Sequence, residues 1–390
     1  MKICSIIAEY NPFHNGHLSQ INYIKANLKP DFIAVFLSGN FTQRGEGAVL
    51  DKFTRARHAV LAGADIVFEL PAVFATQSAE FFASGAVKLI NSLPGEKTVC
   101  FGSECGDKTA ILDIANAMLN ESQEYKKIIK TELKKGVSLI KAKQTALSLT
   151  NKDINVDILK SPNNVLGIEY VKAIVKNKYD INVEVIKRNG ADYNSEVLTD
   201  SENPSALAIR NAIISGNLVS VKNFVPPFTF SDLPNGLVNF DREIIYSLIS
   251  ATKTQISKSV DCEEGLENRI KSLLKENATY DSLIKSLKTK RYTEKRLKRI
   301  MLSTMLSIDE KLIKKALNKP LYLKILAINK NAPNLLSYIS KAKYPLLTRK
   351  SDVNKLDSTA LKVFLKDVYC NDIYSAVVGT KTNENNMLII

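Results

Sequence analysis

The sequence predicts an α/β fold, with a Rossmann-like domain built on a parallel sheet followed by a mainly α-helical, basic domain. Three observations carry this prediction. Short apolar runs of strand length alternate with amphipathic helical stretches over roughly the first hundred residues. The segment VPPFTFSDLPNG, residues 225–236, holds three of the twelve prolines and interrupts that alternation. Charge divides at the same place: residues 1–236 carry 26 Lys and Arg against 24 Asp and Glu, and residues 237–390 carry 28 against 16. We therefore expect domains at 1–225 and 237–390.

Taken in order, ICSIIAEY, DFIAVFLSG, ADIVFELP and KTVCFGSE are apolar runs that end in polar or turn residues, as buried strands do. Between the first two lies HLSQINYIKANLK, which puts Leu18, Ile21, Ile24 and Leu28 on one helical face. LDKFTRARHAVLAGA does the same with Phe53, Ala56, Val60 and Leu61 before Gly63 closes it. Strand and helix alternating at this spacing build a parallel sheet with right-handed crossovers. A helical patch follows over 108–176, then a further strand, INVEVIKR, and a helix opened by NPSALAIR. Beyond the proline-rich break the pattern is helical almost throughout.

Composition narrows the function classes. The chain has 390 residues, 45% hydrophobic and 24% charged, enough for a core in each of two domains. No apolar run approaches the roughly 18 residues of a membrane span. The start, MKICSIIAEYNPF, is too short in its apolar stretch for a secretory leader, and five scattered cysteines suit a reducing compartment, so a soluble cytoplasmic protein is expected. Cys100 and Cys105 are too far apart for a zinc knuckle, and no metal site is expected. The basic back half points to an anionic partner; the competing explanation is a surface solvated by lysine.

The first strand runs into NPFHNGH, the loop that enters the first helix, at the strand end where open parallel sheets bind ligands. A helix N-terminus offers unpaired N–H groups and partial positive charge to phosphate, and Gly16 admits a close backbone approach. His14 and His17 add directional donors, suited to charge developing on an α-phosphate and a leaving pyrophosphate. A metal pair and a plain helix cap, which Asn15 could supply, are the other readings of the same residues.

The H-x-G-H pattern in this position resembles the nucleotidyltransferase superfamily that includes pantetheine-phosphate adenylyltransferase and the class I aminoacyl-tRNA synthetases. Longer stretches are more specific. EYNPFHNGH, SGNFTQRGEGAVLDKFTRARHAVLAGADIVFELP, FGSECGD, SPNNVLGIEY and KTKRYTEKRLKR together resemble the bacterial tRNA(Met) cytidine acetate ligases, through both halves of the chain. The resemblance implies an enzyme that uses ATP, accompanied by Mg2+, to activate acetate as acetyl-adenylate. It then acetylates N4 of the wobble cytidine of elongator tRNA(Met), yielding N4-acetylcytidine, AMP and pyrophosphate.

Carried over residue by residue, the resemblance puts ATP on the loop of Ile7, Ala8, Glu9, Tyr10, Asn11, Pro12, Phe13, His14, Asn15, Gly16, His17, Leu18, Ser19 and Gln20, with Gly102, Asn163, Arg188 and Asn189 as further contacts. PSALAIR resembles the superfamily's second phosphate-binding helix start, with Ser205 as cap and Arg210 as a cation for pyrophosphate; it departs at Leu207, where threonine is usual. His14, His17 and Arg210 are thus the implied catalytic residues. Asn40, Gln43 and Arg44, in the glycine-containing loop after the second strand, are expected to face the same cleft. An ordinary polar crossover loop is the alternative there.

An acyl-adenylate is already activated, so the second step needs a firmly held RNA more than a base. KSLKTKRYTEKRLKRIM clusters Lys290, Arg291, Lys295, Arg296, Lys298 and Arg299 around Tyr292, a composition suited to phosphate contacts and a stacked base. Two other function classes share parts of this pattern. A small-molecule adenylyltransferase would use the histidine motif without the basic domain, and a nucleotide-sensing RNA-binding protein would use neither histidine chemically.

Overall fold

A computed structural model describes residues 1–390 apart from 138, 152–153, 189–203, 264, 278, 381 and 385–386. Strands β1 (Lys2–Ala8), β2 (Phe32–Ser38), β3 (Ile66–Leu70), β4 (Glu96–Ser103) and β5 (Asn182–Lys187) form where the sequence places them and pair in parallel, in the order β5-β4-β1-β2-β3. The chain moves outward from β1 through β2 to β3, then returns to lay β4 and β5 on the other side of β1. That reversal leaves a crevice between the carboxyl ends of β1 and β4, the place where open α/β sheets hold ligands.

Helices cover the sheet. Asn15–Tyr23 buries Ile21, with Ile24 buried in the turn that continues it. Lys52–Leu61 buries Phe53, Ala56 and Val60 as its spacing predicts, but Leu61 is 47% exposed, while Arg55 and His58 are buried instead. The reason lies in the partners: Arg55 donates to the carbonyls of Leu50, Glu9, Ser38 and Gly39, and the His58 ring nitrogen Nε2 lies 2.6 Å from Asp232 Oδ2. Buried polar groups on a helix face are tolerated where each finds a partner.

The back half departs from the helical expectation. Three strands, β6 (Leu323–Ile328), β7 (Leu346–Leu347) and β8 (Leu388–Ile389), come from beyond the proline-rich break, and β6 pairs antiparallel with β3 to extend the same sheet. All six residues of β6 are buried. A strand covered on both faces reads as a continuous apolar run and lacks the alternation that would separate it from a helical segment. The hydrophobic core is correspondingly shared: one cluster holds Ile3, Phe36 and Phe68 together with Leu323, Ile325, Phe364 and Tyr374. The break at 225–236 therefore does not separate two cores.

A buried lattice of charges reinforces this junction. Lys52 Nζ lies 2.6 Å from Glu69 Oε1 and 2.5 Å from Glu384 Oε1, and Lys324 Nζ is 2.9 Å from Glu69 Oε2 and also contacts Glu384. Lys52 and Glu69 belong to the front half, Lys324 and Glu384 to the back. Two lysines and two glutamates neutralise one another in a site closed to water, the arrangement that makes a buried charge tolerable.

Candidate functional site

The crevice at the switch point is a built cleft. His14 stands at the N-cap of the first helix in extended conformation, and its Nδ1 accepts from the Gly16 amide at 3.1 Å. His17 Nδ1 in turn accepts from the His14 amide at 3.2 Å, so the two imidazoles cap the helix reciprocally and stack at 3.7 Å between ring centroids. Capping is thus done by His14 rather than Asn15, whose side chain instead donates to the Asn223 carbonyl. Because each Nδ1 is an acceptor, each neutral ring carries its proton on Nε2, which leaves that N–H as the remaining donor. Burial lowers the His14 pKa to about 3, helped by the Arg188 charge. Burial also holds His17 far below the usual imidazole range, with His14 and Arg188 adding to it. Both rings are neutral donors at pH 7.

The loop beneath them is held firmly. Tyr10 adopts φ +46°, a region costly for a non-glycine residue, and its ring packs 4.7 Å from both Phe13 and His17 in full burial. Arg210 is buried, and its Nη1 donates to the Asn11 carbonyl at 2.8 Å and to the Ala206 carbonyl at 3.2 Å, tying the Ala206–Ile214 helix to the loop. Ser205 is the N-cap of that helix, accepting from the Ala208 amide at 3.0 Å as the motif predicts. Leu207 occupies the first turn without a hydroxyl to offer.

Around this centre the cleft is lined by Ile7, Ala8, Glu9, Tyr10, Asn11, His14, His17 and Gln20, and by Gly102, Asn163, Arg188, Ser205 and Arg210 from later in the chain. Pro12, Phe13, Asn15, Gly16, Leu18 and Ser19, from the same loop and the helix it enters, do not line the cleft. Asn189 lies outside the described residues. Gly102 lies close against the Arg188 side chain: a Cβ there would stand 3.0 Å from Arg188 Cγ. Gln43 and Arg44 reach the cleft as expected. Asn40 does not: it is buried behind the loop, donating to Asn371 Oδ1 at 3.0 Å and accepting from the Lys52 amide at 2.7 Å.

Several cleft features escape sequence reasoning. Phe82, Phe101, Leu166 and Tyr170 form an apolar wall, contributed by elements whose helical or strand periodicity marks them simply as core. Glu104 caps the Pro162–Lys176 helix, its carboxylate accepting from the Asn163 and Asn164 amides at 3.3 and 3.0 Å and from Asn163 Nδ2 at 2.7 Å. That helix N-terminus already carries a negative charge from the protein. The Asn15 and Ala206 helices are capped only by neutral side chains, so their partial positive charge faces the cleft together with Arg188 and Arg210. Glu9 is the one carboxylate among the described lining residues. Burial raises its pKa even though it accepts from the Gln43 amide at 2.7 Å.

The basic run folds as Glu294–Met305 and the turn before it. Lys290, Arg291 and Lys295 are exposed, and Arg296, Lys298 and Arg299 are half-buried. Tyr292, expected to stack a base, is buried: its hydroxyl donates to the Glu263 carbonyl at 2.6 Å, and the Arg296 guanidinium covers its ring at 4.6 Å. Arg296 also donates to the Asp261 carbonyl at 2.8 Å. This pair braces the 259–263 turn, so its chemistry is spent inside the fold. No group of three or more His, Cys, Asp or Glu among the described residues is placed to hold a metal ion, and the cysteines are free. No helix among the described residues is long and apolar enough to cross a membrane.

Two stacked neutral imidazoles thus stand at a helix N-terminus on the first crossover of a parallel sheet. The HIGH Nucleotidyl Transferase family model matches residues 1–387. This chain belongs to that family. It is 38% identical to a protein of Caldanaerobacter subterraneus subsp. tengcongensis over 387 residues, 96% of this chain and 95% of the relative. It is 40% identical to one of Clostridium acetobutylicum over 385 residues, 93% of this chain and 95% of the relative. Both relatives are named tRNA(Met) cytidine acetate ligase. Among solved structures, Thermotoga maritima TmcAL without ligand superposes with a TM-score of 0.92 at 31% identity, covering 100% of both chains. Its form bound with alpha-thio ATP gives 0.90. The family likeness therefore spans both the cleft and the basic half.

Proposed function

We propose that this protein is an ATP-dependent tRNA(Met) cytidine acetate ligase. ATP lies in the cleft between β1 and β4, with its phosphates toward His14, His17 and Arg210. Acetate attacks the α-phosphorus to give acetyl-adenylate and pyrophosphate; N4 of the wobble cytidine of elongator tRNA(Met) then attacks the acetyl carbonyl and releases AMP. The observation that carries this reading is the pair of Nε2 donors fixed by their own backbone hydrogen bonds at the N-terminus of the Asn15–Tyr23 helix. Donors held in place before reaction stabilise developing charge without reorganisation, which is where such sites gain most of their rate.

Arg188 and Arg210 balance the polyphosphate, and Phe82, Phe101, Leu166 and Tyr170 offer a dry wall to a purine or a methyl group. Mg2+ would enter on the phosphate oxygens, with Glu9 as the cleft carboxylate able to face it; the chemistry it supplies is neutralisation of phosphate charge. The exposed cations Lys290, Arg291 and Lys295, with Arg299, hold the RNA, so the functional division into 1–225 for activation and 237–390 for RNA binding is one of roles within a shared core. Such work on tRNA places the enzyme in the cytoplasm.

The test is incubation with ATP, carbon-labelled acetate and total tRNA. Label recovered as N4-acetylcytidine in elongator tRNA(Met) is the expected result. Transfer of AMP to a small acceptor without labelled RNA would instead make the protein a small-molecule adenylyltransferase.

A further inference from the structure

Asn11 stands where two loops of the cleft meet. Its backbone carbonyl accepts from Arg210 Nη1 at 2.8 Å, and its side-chain Oδ1 accepts from the Val49 amide, in the loop after β2, also at 2.8 Å. A carboxamide whose oxygen is held by an N–H donor presents its nitrogen at the other end, so the Val49 bond fixes where Nδ2 lies. Asn11 is 4% exposed, and Nδ2 meets no acceptor among the described residues. Gln43 Nε2, from the loop after β2, is likewise closed to solvent without an acceptor there, while the Gln43 backbone amide donates to Glu9 Oε1 at 2.7 Å. Both Asn11 and Gln43 line the cleft. Buried amide donors are paired as a rule, so two that find no oxygen in the protein, in one cleft, point to an oxygen of a ligand.

The sheet order separates two sides of the cleft, because β1 lies between β4 and β2. On the β4 side stand Gly102 and Arg188, whose amide donates to the Ser103 carbonyl at 2.9 Å, and the Phe101 and Tyr170 rings, 5.4 Å apart. That side offers an apolar face to a base and a cation to phosphate. Asn11, through Val49, and Gln43 belong to the β2 side. We propose that Asn11 Nδ2 and Gln43 Nε2 hold the carboxylate of acetate on the β2 side of the cleft, across from the nucleotide. The inference rests on the ligase reading above. A carboxylate brings two oxygens to two N–H donors. One oxygen forms the bond to the α-phosphorus as the bond to pyrophosphate breaks and pyrophosphate leaves with the electron pair; the other remains an acceptor for the amides as the acyl oxygen of the adenylate. Phosphate oxygens of ATP have the same acceptor chemistry, and the experiment separates the two sources.

The experiment is acetate-dependent exchange of pyrophosphate into ATP by the full chain without RNA, with the KM for acetate and the KM for ATP measured separately. Asn11→Asp keeps an acceptor for the Val49 amide and removes the donor. Gln43→Met removes the side-chain amide and keeps the backbone bond to Glu9. Each should raise the KM for acetate about 10- to 100-fold, the scale of one lost hydrogen bond to a charged group, and leave the KM for ATP within about twofold of wild type. Melting temperatures establish that the variants are folded; if Asn11→Asp does not fold, Gln43→Met decides alone. An unchanged KM for acetate in either folded variant overturns the proposal and leaves that residue the task of holding the loops together. A KM for ATP that rises as much as the KM for acetate also overturns it, since the donors then serve the nucleotide. Both outcomes leave the ligase reading intact. Exchange by wild type that does not depend on acetate overturns the ligase reading, and the acetate seat with it.

Discussion

His14 does two jobs that substitutions can separate. As N-cap it satisfies the Gly16 amide through Nδ1, and as a cleft residue it keeps an Nε2 donor. Asparagine can cap a helix as well as histidine but cannot reach as far. His14→Asn should therefore leave the melting temperature nearly unchanged while acetate-dependent exchange of pyrophosphate into ATP falls steeply. His14→Ala should lose the exchange and also about 1 kcal/mol of stability, the usual cost of a lost cap. Equal exchange in His14→Asn and wild type would reduce the residue to a cap. For His17→Ala we expect a 10²- to 10³-fold loss of exchange, about 2.7–4 kcal/mol of barrier, since it acts where charge develops. Burial also gives these rings a pH signature. Both are held below the unfolded imidazole value near 6.5, His14 to about 3. The folded protein thus binds fewer protons than the unfolded chain between those limits, and the contribution is whole above about pH 6.5 and lost as pH falls toward 3. Denaturant titrations of wild type at pH 7.5 and 5 should show lower stability at pH 5, with a smaller difference in His14→Asn.

Elements show where sequence reasoning reaches its limit. The histidine loop was legible because one short segment contains the strand end, the glycine, both imidazoles and the helix start. Ser205 and Arg210 were legible through the resemblance of PSALAIR to a phosphate-binding helix start, which is also contained in one short segment. The cleft's apolar wall was not, since Phe82, Phe101 and Tyr170 come together only through the sheet order. The basic run was legible as a charge cluster but not in its parts, because the sequence does not say that Tyr292 and Arg296 are spent on the 259–263 turn. This distinction yields a prediction. Charge reversal of the exposed Lys290 and Arg291 to Glu should weaken tRNA binding and lower the log–log salt slope by about two, near one per phosphate contact, with the melting temperature retained. Arg296→Ala should instead lower the melting temperature, by exposing the Tyr292 ring and leaving the Asp261 carbonyl unpaired. An unaltered salt slope in the double reversal would make these residues a solvated surface. Gly45→Ala tests the packing of the loop after β2 on the Glu294–Met305 helix: a methyl group at φ +80° and 2.7 Å from the Lys298 carbonyl carbon forces loop and helix apart, so acetyl transfer to RNA should drop together with stability.

At the scale of the whole molecule, the question is whether the two halves fold as one. The charge split and the proline-rich segment suggest two bodies, yet β6 completes the edge of β3, the apolar cluster runs through both halves, and Lys52 and Glu69 meet Lys324 and Glu384 in a site closed to solvent. A fragment of residues 1–225 would expose the β3 edge and the apolar face beneath β6, and would strip the Lys52–Glu69 pair of its further contacts with Glu384 and Lys324. Unpaired strand edges and uncovered apolar surface drive association, so the fragment should aggregate or remain partly unfolded when expressed alone. The full chain should unfold in a single calorimetric transition. The charge lattice sharpens the test. Glu384→Gln leaves two buried lysines on one carboxylate and should cost about 3–5 kcal/mol, the scale of a broken buried pair. Removing one lysine as well, in Lys52→Met/Glu384→Gln, restores neutrality and should recover a large part of that loss, although the two substitutions stand at opposite ends of the chain. Two separate transitions in wild type, or strictly additive losses in the double variant, would show that the halves are stabilised independently and that the lattice does not couple them.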